Sequence, residues 1–221
     1  GEKQYAWQTC FGPGIWRIFA AIIGIHGDDK GLVLPFDLAP VQVVLVPIYY
    51  SDEEKKTVLS FCEKICKMLP HFRTFIDASP NSPGYKFNHW EMKGVPLRLE
   101  IGPREASSEQ ATVVTRTSQE KTKVPLKTLG KDIQRFVRAV DEEIGRRAAA
   151  YFKDNTKHAQ SLAELRKIIQ KKPSFVVVPF CSVEQAGASC AEKLKEATDG
   201  VYVCGTLYPE EKKAEGNCIM C

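Results

Sequence analysis

The chain has 221 residues, of which 43% are hydrophobic and 26% are charged, and its formal net charge is +4. This composition indicates neither a disordered chain nor a membrane protein, since no apolar run is long enough to cross a bilayer. A chain of this length can form one large domain or two small ones, each with its own core. The small excess of lysine and arginine is compatible with a nucleic-acid partner, but it is also common in proteins that bind none.

The N-terminal residues and the cysteines indicate where the protein works. Gly1 to Gln4 begin no secretory signal, because no basic region is followed by an apolar stretch and a small-residue cleavage site. The last five of the eight cysteines crowd toward the C-terminus. That distribution favours a local metal site over a secreted disulfide scaffold, so we expect a cytoplasmic protein without a membrane partner.

The first third of the chain predicts the end of one domain and the beginning of an α/β unit. An apolar run, Ile18 to Ile23, precedes a glycine-rich segment that ends at Pro35. Val41 to Ile48 is short, apolar and β-branched, as expected of a strand buried on both faces. Ser51 to Glu54 then forms a capping box, which starts an amphipathic helix that reaches Leu69.

The middle of the chain predicts a small mixed sheet with helices, spanning roughly residues 40 to 144. Strands are expected at Phe72 to Ile76, Pro96 to Ile101 and Ala111 to Thr115. In the second of these strands Leu97, Leu99 and Ile101 would face a core, while Arg98 and Glu100 would face the other side. A short helix should end near Lys93, where Gly94 can terminate it, and a long helix should run from Ile133 to Phe152.

A second domain is predicted after a boundary near Asp154 to Lys157. Another capping box, Ser161 to Glu164, introduces a helix, and a strand follows at Phe175 to Val178.

The C-terminal cysteines have the spacing of a structural zinc site. Cys218 and Cys221 form a C-x2-C pair, and Cys181 and Cys190 form an earlier pair with eight residues between them. Four thiolates suit a tetrahedral zinc ion and leave no open position for catalysis. Two alternatives are reduced cysteines that ligate nothing and disulfides. Cys204 is a spare, interpreted as a buried apolar residue.

Polar residues in the segment Pro83 to Glu105 are unusual for a purely structural role. Glu91 falls in the last turn of its helix, where the helix dipole disfavours an acid, and Arg104 and Glu105 follow the alternating strand. Arginine and carboxylates beside an aromatic residue can bind the splayed bases of a single-stranded RNA loop. The alternative is a solvated face with intrastrand ion pairs between residues such as Arg98 and Glu100.

This segment carries a resemblance. The stretch P-G-Y-K-F-x-x-W-E-x-K-G-V-P-x-R-x-E-x-G-P is similar to the anticodon-binding domain of prolyl-tRNA synthetases of the archaeal and eukaryotic type. G-L-V-L-P-F-D-L-A-P-V-Q-V-V-L-V-P-I resembles that family's passage into the domain. The resemblance implies an α/β protein in three parts: the end of a class II catalytic domain at 1–38, a mixed-sheet α/β anticodon-binding domain at 39–153, and a small α+β zinc-binding domain at 154–221.

The resemblance also implies the roles of particular residues. Glu91, Arg98 and Glu105 would contact the guanines of the proline anticodon, with Arg104 beside them. Arg17 matches the ATP-binding, catalytic arginine of class II motif 3, in which an always-charged guanidinium can stack on adenine and stabilise phosphate charge. The implied ligands are ATP, Mg²⁺, L-proline, proline tRNA and a structural Zn²⁺ ion. The family also implies a homodimer through the missing part of the catalytic domain.

The chain departs from the family in two ways. Ile15 and Trp16 stand where the family usually has small hydroxyl residues, and class II motifs 1 and 2 are absent. We therefore expect this segment to select the tRNA in a proline–tRNA ligase without aminoacylating by itself. The alternative is a stand-alone RNA-binding module without catalytic activity.

Overall fold

A computed structural model describes residues 9–182, 185–206 and 214–221. The chain divides into two compact units between Ala148 and Ala149. This division falls inside a long helix. The domain ranges that the resemblance implies, 1–38, 39–153 and 154–221, remain a prediction. Within the described ranges, no helix combines the length and the apolar character needed to cross a membrane.

From residue 9 onward, where the structure describes it, the first unit contains five strands and five α-helices, the last of which continues into the second unit. The strands are β1 Val43–Pro47, β2 Thr74–Ile76, β3 Leu97–Ile101, β4 Gln110–Thr115 and β5 Lys121–Pro125. The helices are α1 Ile15–His26, α2 Asp52–Met68, α3 Pro83–Met92, α4 Pro103–Ser107 and α5 Leu129–Asp154.

The five strands form one mixed sheet in the order β2-β1-β3-β4-β5. β1 lies parallel to both β2 and β3, while β4 runs antiparallel to β3 and β5. β1 is buried along its whole length, as its continuous apolar sequence predicts. The expected small mixed sheet is therefore present, with one edge strand, β5, that the sequence did not indicate.

Each face of the sheet packs against different helices. On one face, Leu97, Leu99 and Ile101 of β3 join apolar residues of α2 and α5 in the main core. On the other face, Val44 and Val46 of β1 pack with Trp90 of α3 in a smaller cluster. The predicted alternation of β3 is confirmed, and it directs Arg98 and Glu100 toward the face covered by α3.

Side-chain caps fix where two of these helices begin. The Ser51 hydroxyl accepts a hydrogen bond from the Glu54 amide at 3.2 Å, as the capping box predicts. At α3, Ser82 accepts from the Tyr85 amide at 3.4 Å, and Pro83 occupies the first helical position. Both ends of the α3 segment are thereby set by sequence, because Gly94 follows its last turn at φ +72°.

Helix α1 is apolar, yet none of its residues is buried. Ile15 is 71% exposed and Trp16 is 84% exposed. Within the described residues, this apolar helix therefore has no packing partner that covers it.

The second unit is a small α+β structure. Its strands β6 Thr156–His158 and β7 Phe175–Val177 lie parallel, and its helices are α6 Leu162–Lys171 and α7 Ala188–Ala197. The predicted cap of α6 is present, since Ser161 Oγ accepts from the Glu164 amide at 3.3 Å. Ala159, Leu165 and Leu194 form the buried centre of this unit. The predicted strand ends one residue earlier than expected, at Val177.

Candidate functional site

Glu91 and Arg98, two of the predicted anticodon-binding residues, line the same small pocket on the α3 face of the sheet. Trp90, Thr115 and Arg116 line it as well. Glu91 reaches the pocket from the last turn of α3, and Arg98 reaches it from the centre of β3. The structure thus places an acceptor, a donor and an aromatic ring around one pocket.

Trp90 is held in place by a buried polar cluster. Its indole Nε1 donates to Asp77 Oδ2 at 2.8 Å, and Lys86 Nζ donates to the Asp77 carbonyl at 2.9 Å. Lys86 is only 2% exposed, and its burial lowers its pKa. Burial works to raise the pKa of Asp77, but hydrogen bonds from Ser79 and Trp90 outweigh it and lower that pKa. This cluster fixes the orientation of α3 against the sheet edge.

Arg98 is held by Glu100 and by an aromatic ring. Its Nε and Nη2 donate to Glu100 Oε1 at 3.3 and 3.1 Å, and its guanidinium carbon lies 4.4 Å from the centre of the Phe87 ring. Lys121 Nζ donates to the other oxygen of Glu100 at 2.6 Å. Because two cations share one carboxylate, the arrangement carries a net positive charge while the Arg98 guanidinium stays fixed.

The intrastrand ion pair of the structural alternative is present, but the expectation that its face is solvated is wrong. The side chains of Arg98 and Glu100 are 11% and 8% exposed. Helix α3 covers the face and supplies Phe87, so the pair lies in a partly desolvated environment where charge interactions are stronger than at an open surface.

Among the residues that the structure describes, Glu91 has one ionic partner, Lys30. Lys30 Nζ lies 3.1 Å from Glu91 Oε1, and the two side chains are 59% and 11% exposed. Among the described residues, Glu91 Oε1 is a buried oxygen that no hydrogen-bond donor meets in good geometry. The ion pair with Lys30 is therefore all that compensates this oxygen for the loss of water.

A buried arginine fixes the segment that carries Lys30. Arg116, whose side chain is 3% exposed, donates through Nη1 to Asp28 Oδ2 at 2.9 Å and through Nη2 to Asp28 Oδ1. Its Nε donates to the carbonyls of Leu32 and Glu91 at 3.1 and 3.0 Å. The hydrogen bond from Arg116 lowers the pKa of Asp28. One side chain therefore joins residues 28–32 to the C-terminal end of α3.

The backbone of this segment lies too close to α3 for larger residues. A Cβ at Gly31, at φ +128°, would lie 2.5 Å from the Met92 carbonyl oxygen. A Cβ at Gly94 would lie 2.7 Å from Leu32 Cβ. Both glycines are required here by positive φ and by close approach, and they keep Lys30 beside Glu91.

The remaining predicted polar residues, Glu105, Arg104 and Arg17, do not line this pocket. Glu105 Oε2 accepts from the Gly102 amide at 3.1 Å, and its Oε1 accepts from the Thr112 hydroxyl at 3.4 Å. Arg104 is exposed on the short helix α4. Arg17 is exposed on α1, and within the described residues its side chain has no polar partner. The structure thus brings Glu91 and Arg98 together but does not bring Arg17 to them.

The four predicted cysteine ligands converge in the second unit. The sulfurs of Cys181, Cys190, Cys218 and Cys221 all lie within 4.8 Å of one another. Sulfurs around a tetrahedral zinc ion at the usual Zn–S distance would be about 3.8 Å apart, so small adjustments would close the site. All four are free thiols rather than disulfides. Cys204 lies outside the cluster and is exposed, so its interpretation as a buried apolar residue is wrong.

The surroundings of the cluster favour thiolate at one position. Burial works to raise the pKa of Cys218, but backbone amides of neighbouring residues, including Met220 at 3.4 Å from the sulfur, lower it to about 6. Hydrogen bonds with Cys181 and Cys221 raise the pKa of Cys190 to about 12. Zinc binding would therefore have to displace protons from other thiols of the cluster, since all four ligands of such a site are thiolates.

Several residues of the site were missed from sequence. Lys30, Arg116 and Asp77 hold Glu91 and Trp90 through contacts with residues far along the chain. Lys121 was missed because β5 was missed. A usable signal was the K-T-K-V alternation of residues 121–124, which places lysines on the face opposite Val124.

The comparisons begin with a sequence family described as "Anticodon binding domain", which matches residues 42–136. Glu91, Arg98, Arg104 and Glu105 all fall within the residues that match this family. The expected α/β fold with such a domain is thereby confirmed.

The relatives extend the similarity over the whole chain. A proline–tRNA ligase of Thermofilum pendens is 44% identical over 100% of this chain and 45% of its own length. A proline–tRNA ligase of Aeropyrum pernix is 37% identical over 99% of this chain and 45% of its own. The chain thus spans about half the length of the curated relatives it matches, and it is similar to their C-terminal portion.

A solved structure of the same kind of enzyme is also similar to this chain. The prolyl-tRNA synthetase of Cryptosporidium parvum, determined with halofuginone and AMPPNP, matches with a TM-score of 0.81 and 30% identity. The match covers 93% of this chain and 43% of that one.

Proposed function

We propose that this chain is the part of a proline–tRNA ligase that selects proline tRNA by its anticodon. One observation carries the proposal: Glu91 and Arg98 line a single pocket within an anticodon-binding domain. The similarity to proline–tRNA ligases supports proline tRNA as the tRNA that is bound.

The chemistry of the pocket suits guanine. Arg98 can donate to guanine O6 and N7 from the guanidinium edge that Glu100 leaves free, and Glu91 can accept from the guanine N–H groups. Unpaired bases in RNA loops expose these edges and stack on aromatic rings such as Phe87 or Tyr85. Arg98 is already aligned by Glu100 and Phe87, so little conformational entropy is lost when RNA binds.

Arg104 and Glu105 belong to the same surface in this proposal. Arg104 is exposed and can contact a base or a phosphate without breaking any internal bond. Glu105 would act from its present position at the start of α4, where the Gly102 amide and Thr112 orient its carboxylate.

We propose that Cys181, Cys190, Cys218 and Cys221 hold a structural Zn²⁺ ion. The convergence of their sulfurs within 4.8 Å supports this assignment. When bound, the ion would cross-link the strand-proximal and C-terminal parts of the second unit without taking part in chemistry.

The whole protein would activate L-proline with ATP and Mg²⁺ and transfer it to proline tRNA. The AMPPNP in the structure of the Cryptosporidium relative supports the use of ATP. Arg17, exposed on α1, would contact ATP once further catalytic-domain residues cover the apolar face of that helix. The intact enzyme would be cytoplasmic and would form a homodimer through its catalytic domain.

The function is tested with the intact protein in charging assays. We expect proline alone, among all amino acids, to be ligated to tRNA. Arg98→Ala and Glu91→Ala should each raise the KM for tRNA by about tenfold or more while leaving proline activation nearly unchanged. Arg138→Ala, at an exposed position of α5, is the matched control. Charging of another amino acid, or equal losses in both assays, would contradict the proposal.

A further inference from the structure

Lys30 occupies a position that the proposed function does not use. Its ammonium lies 3.1 Å from Oε1 of Glu91, a residue that lines the pocket, and its side chain is 59% exposed. Its backbone is held, because Lys30 N donates to Asp28 Oδ1 at 3.0 Å and Asp28 is paired with the buried Arg116. The end of the side chain can therefore move while its origin stays fixed beside Glu91.

The ion pair occupies the acceptor that RNA would need. Glu91 Oε1 is buried and has only this ammonium as a partner among the described residues. A base that donates N–H groups to Glu91 must take up part of the carboxylate's bonding capacity, so the ammonium has to shift. A lysine can shift, because its charge sits at the end of a flexible four-carbon stem with three donors.

We propose that Lys30 is a further base-contacting residue of this surface, donating from Nζ to O6 of the guanine whose N–H groups Glu91 accepts. This inference rests on the proposed function and adds a specificity-determining residue to it. Guanine presents the O6 acceptor beside its N1–H and N2–H donors on the Watson–Crick edge. The Lys30 and Glu91 pair presents the complementary order, a donor beside an acceptor.

The exchange is balanced in charge and in hydrogen bonds. In the free protein, Lys30 neutralises a largely buried carboxylate that would otherwise be costly. In the complex, Glu91 receives donors from the base, while Lys30 finds the carbonyl oxygen next to them. Adenine and uracil do not offer one acceptor followed by two donors, so Lys30 adds discrimination as well as affinity.

The test combines protein variants with base analogues. The probes are fluorescently labelled stem-loop RNAs carrying the proline anticodon, in which each guanine in turn is replaced by inosine or by 2-aminopurine. Inosine keeps O6 and N1–H but lacks the 2-amino group, whereas 2-aminopurine keeps the 2-amino group but lacks O6 and has an unprotonated N1. The proteins are the unchanged chain, Lys30→Met, Lys30→Gln and the control Lys67→Met, an exposed lysine on α2 across the sheet.

For one of the guanines, Lys30→Met should weaken binding by roughly tenfold, for the unchanged RNA and for its inosine form alike. With 2-aminopurine at that position, Lys30→Met should change the affinity by less than about twofold, because the oxygen that Lys30 contacts is gone. Lys30→Gln should weaken binding of the unchanged RNA less than Lys30→Met does. Lys67→Met should leave all affinities unchanged at fixed salt concentration. Lys30→Met should lower the melting temperature modestly, because the largely buried Glu91 loses its counter-charge, while Lys67→Met should leave it unchanged.

Two results would overturn the inference. Equal losses on all three RNAs would show that Lys30 contacts phosphate or acts only as a counter-ion of Glu91. No loss on any RNA would show that it plays no part in binding. If the unchanged chain bound all the RNAs with equal affinity, the proposed function itself would be wrong. That result differs from both results above, so a failure of the Lys30 inference can be told apart from a failure of the proposed function.

Discussion

Arg98 donates from both Nε and Nη2 to one oxygen of Glu100, at 3.3 and 3.1 Å. The two residues alternate with the core residues of β3, so both side chains point to the face under α3. Because Glu100 holds one edge of the guanidinium, the other edge is left for a ligand. The strand therefore carries both a proposed base-contacting residue and the residue that orients it.

We expect Glu100→Gln to weaken binding of an anticodon stem-loop RNA by about 1 kcal/mol, and Glu100→Ala to weaken it by about 2 kcal/mol. The glutamine keeps an oxygen acceptor for Arg98 but loses the charge that also holds Lys121. Fluorescence anisotropy measures the affinities, with Glu142→Gln on the exposed surface of α5 as control. Loss of folding stability without any change in affinity would show that Glu100 does not position Arg98.

Asp77 and Lys86 should be strongly coupled. Asp77→Ala removes the acceptor of Trp90 and leaves the Lys86 ammonium buried without a counter-charge, so the free energy of unfolding should fall by about 3 kcal/mol. In the double variant Asp77→Ala with Lys86→Met, no charge is left uncompensated. Urea unfolding should therefore show the double variant to be less destabilised than the sum of the single variants. Simple additivity would contradict this coupling.

The Asp28 and Arg116 pair should make stability depend on pH in the acid range. The pKa of Asp28 is lower in the folded state than its usual value, so the pair stabilises the protein above that usual value of 3.8. The stabilisation is lost as the pH falls through the folded-state pKa. The difference in unfolding free energy between the unchanged chain and Asp28→Asn should therefore narrow between about pH 5 and about pH 2. A difference that stays constant or widens on acidification would contradict this account.

Zinc should stabilise the second unit selectively. Metal analysis of the purified chain should find roughly one zinc per chain, and a chelator should unfold this unit before the rest, since structural zinc supplies about 10 kcal/mol or more in small metal-dependent modules. Cys218→Ser should abolish metal binding, whereas Cys204→Ser, outside the cluster, should not. A metal content far below one per chain would refute the zinc assignment.

The sequence predicted features that depend on local order. The alternation of β3 and the caps Ser51 and Ser161 are present because periodicity and capping depend on neighbours a few residues apart. The sulfurs of the four cysteines also converge, as the predicted zinc site requires.

The sequence did not predict contacts between distant residues. Arg116 meets Asp28 across 88 positions of sequence, and Lys86 is buried under Asp77 although a lysine is rarely buried. The strand β5 was missed because its lysines interrupt the apolar pattern, as is usual for an edge strand. Such contacts can be predicted only when the order of the strands in the sheet is known, and no periodicity in the sequence encodes that order.

In the proposed function, this chain binds proline tRNA through contacts with the guanines of its anticodon. This recognition is tested most directly by the dissociation constants of the chain for proline tRNA and for the same tRNA with those guanines replaced by adenines. We predict that the replacement weakens binding by at least about tenfold, since each lost base contact costs about 1–3 kcal/mol. Equal dissociation constants for the two tRNAs would contradict the claim.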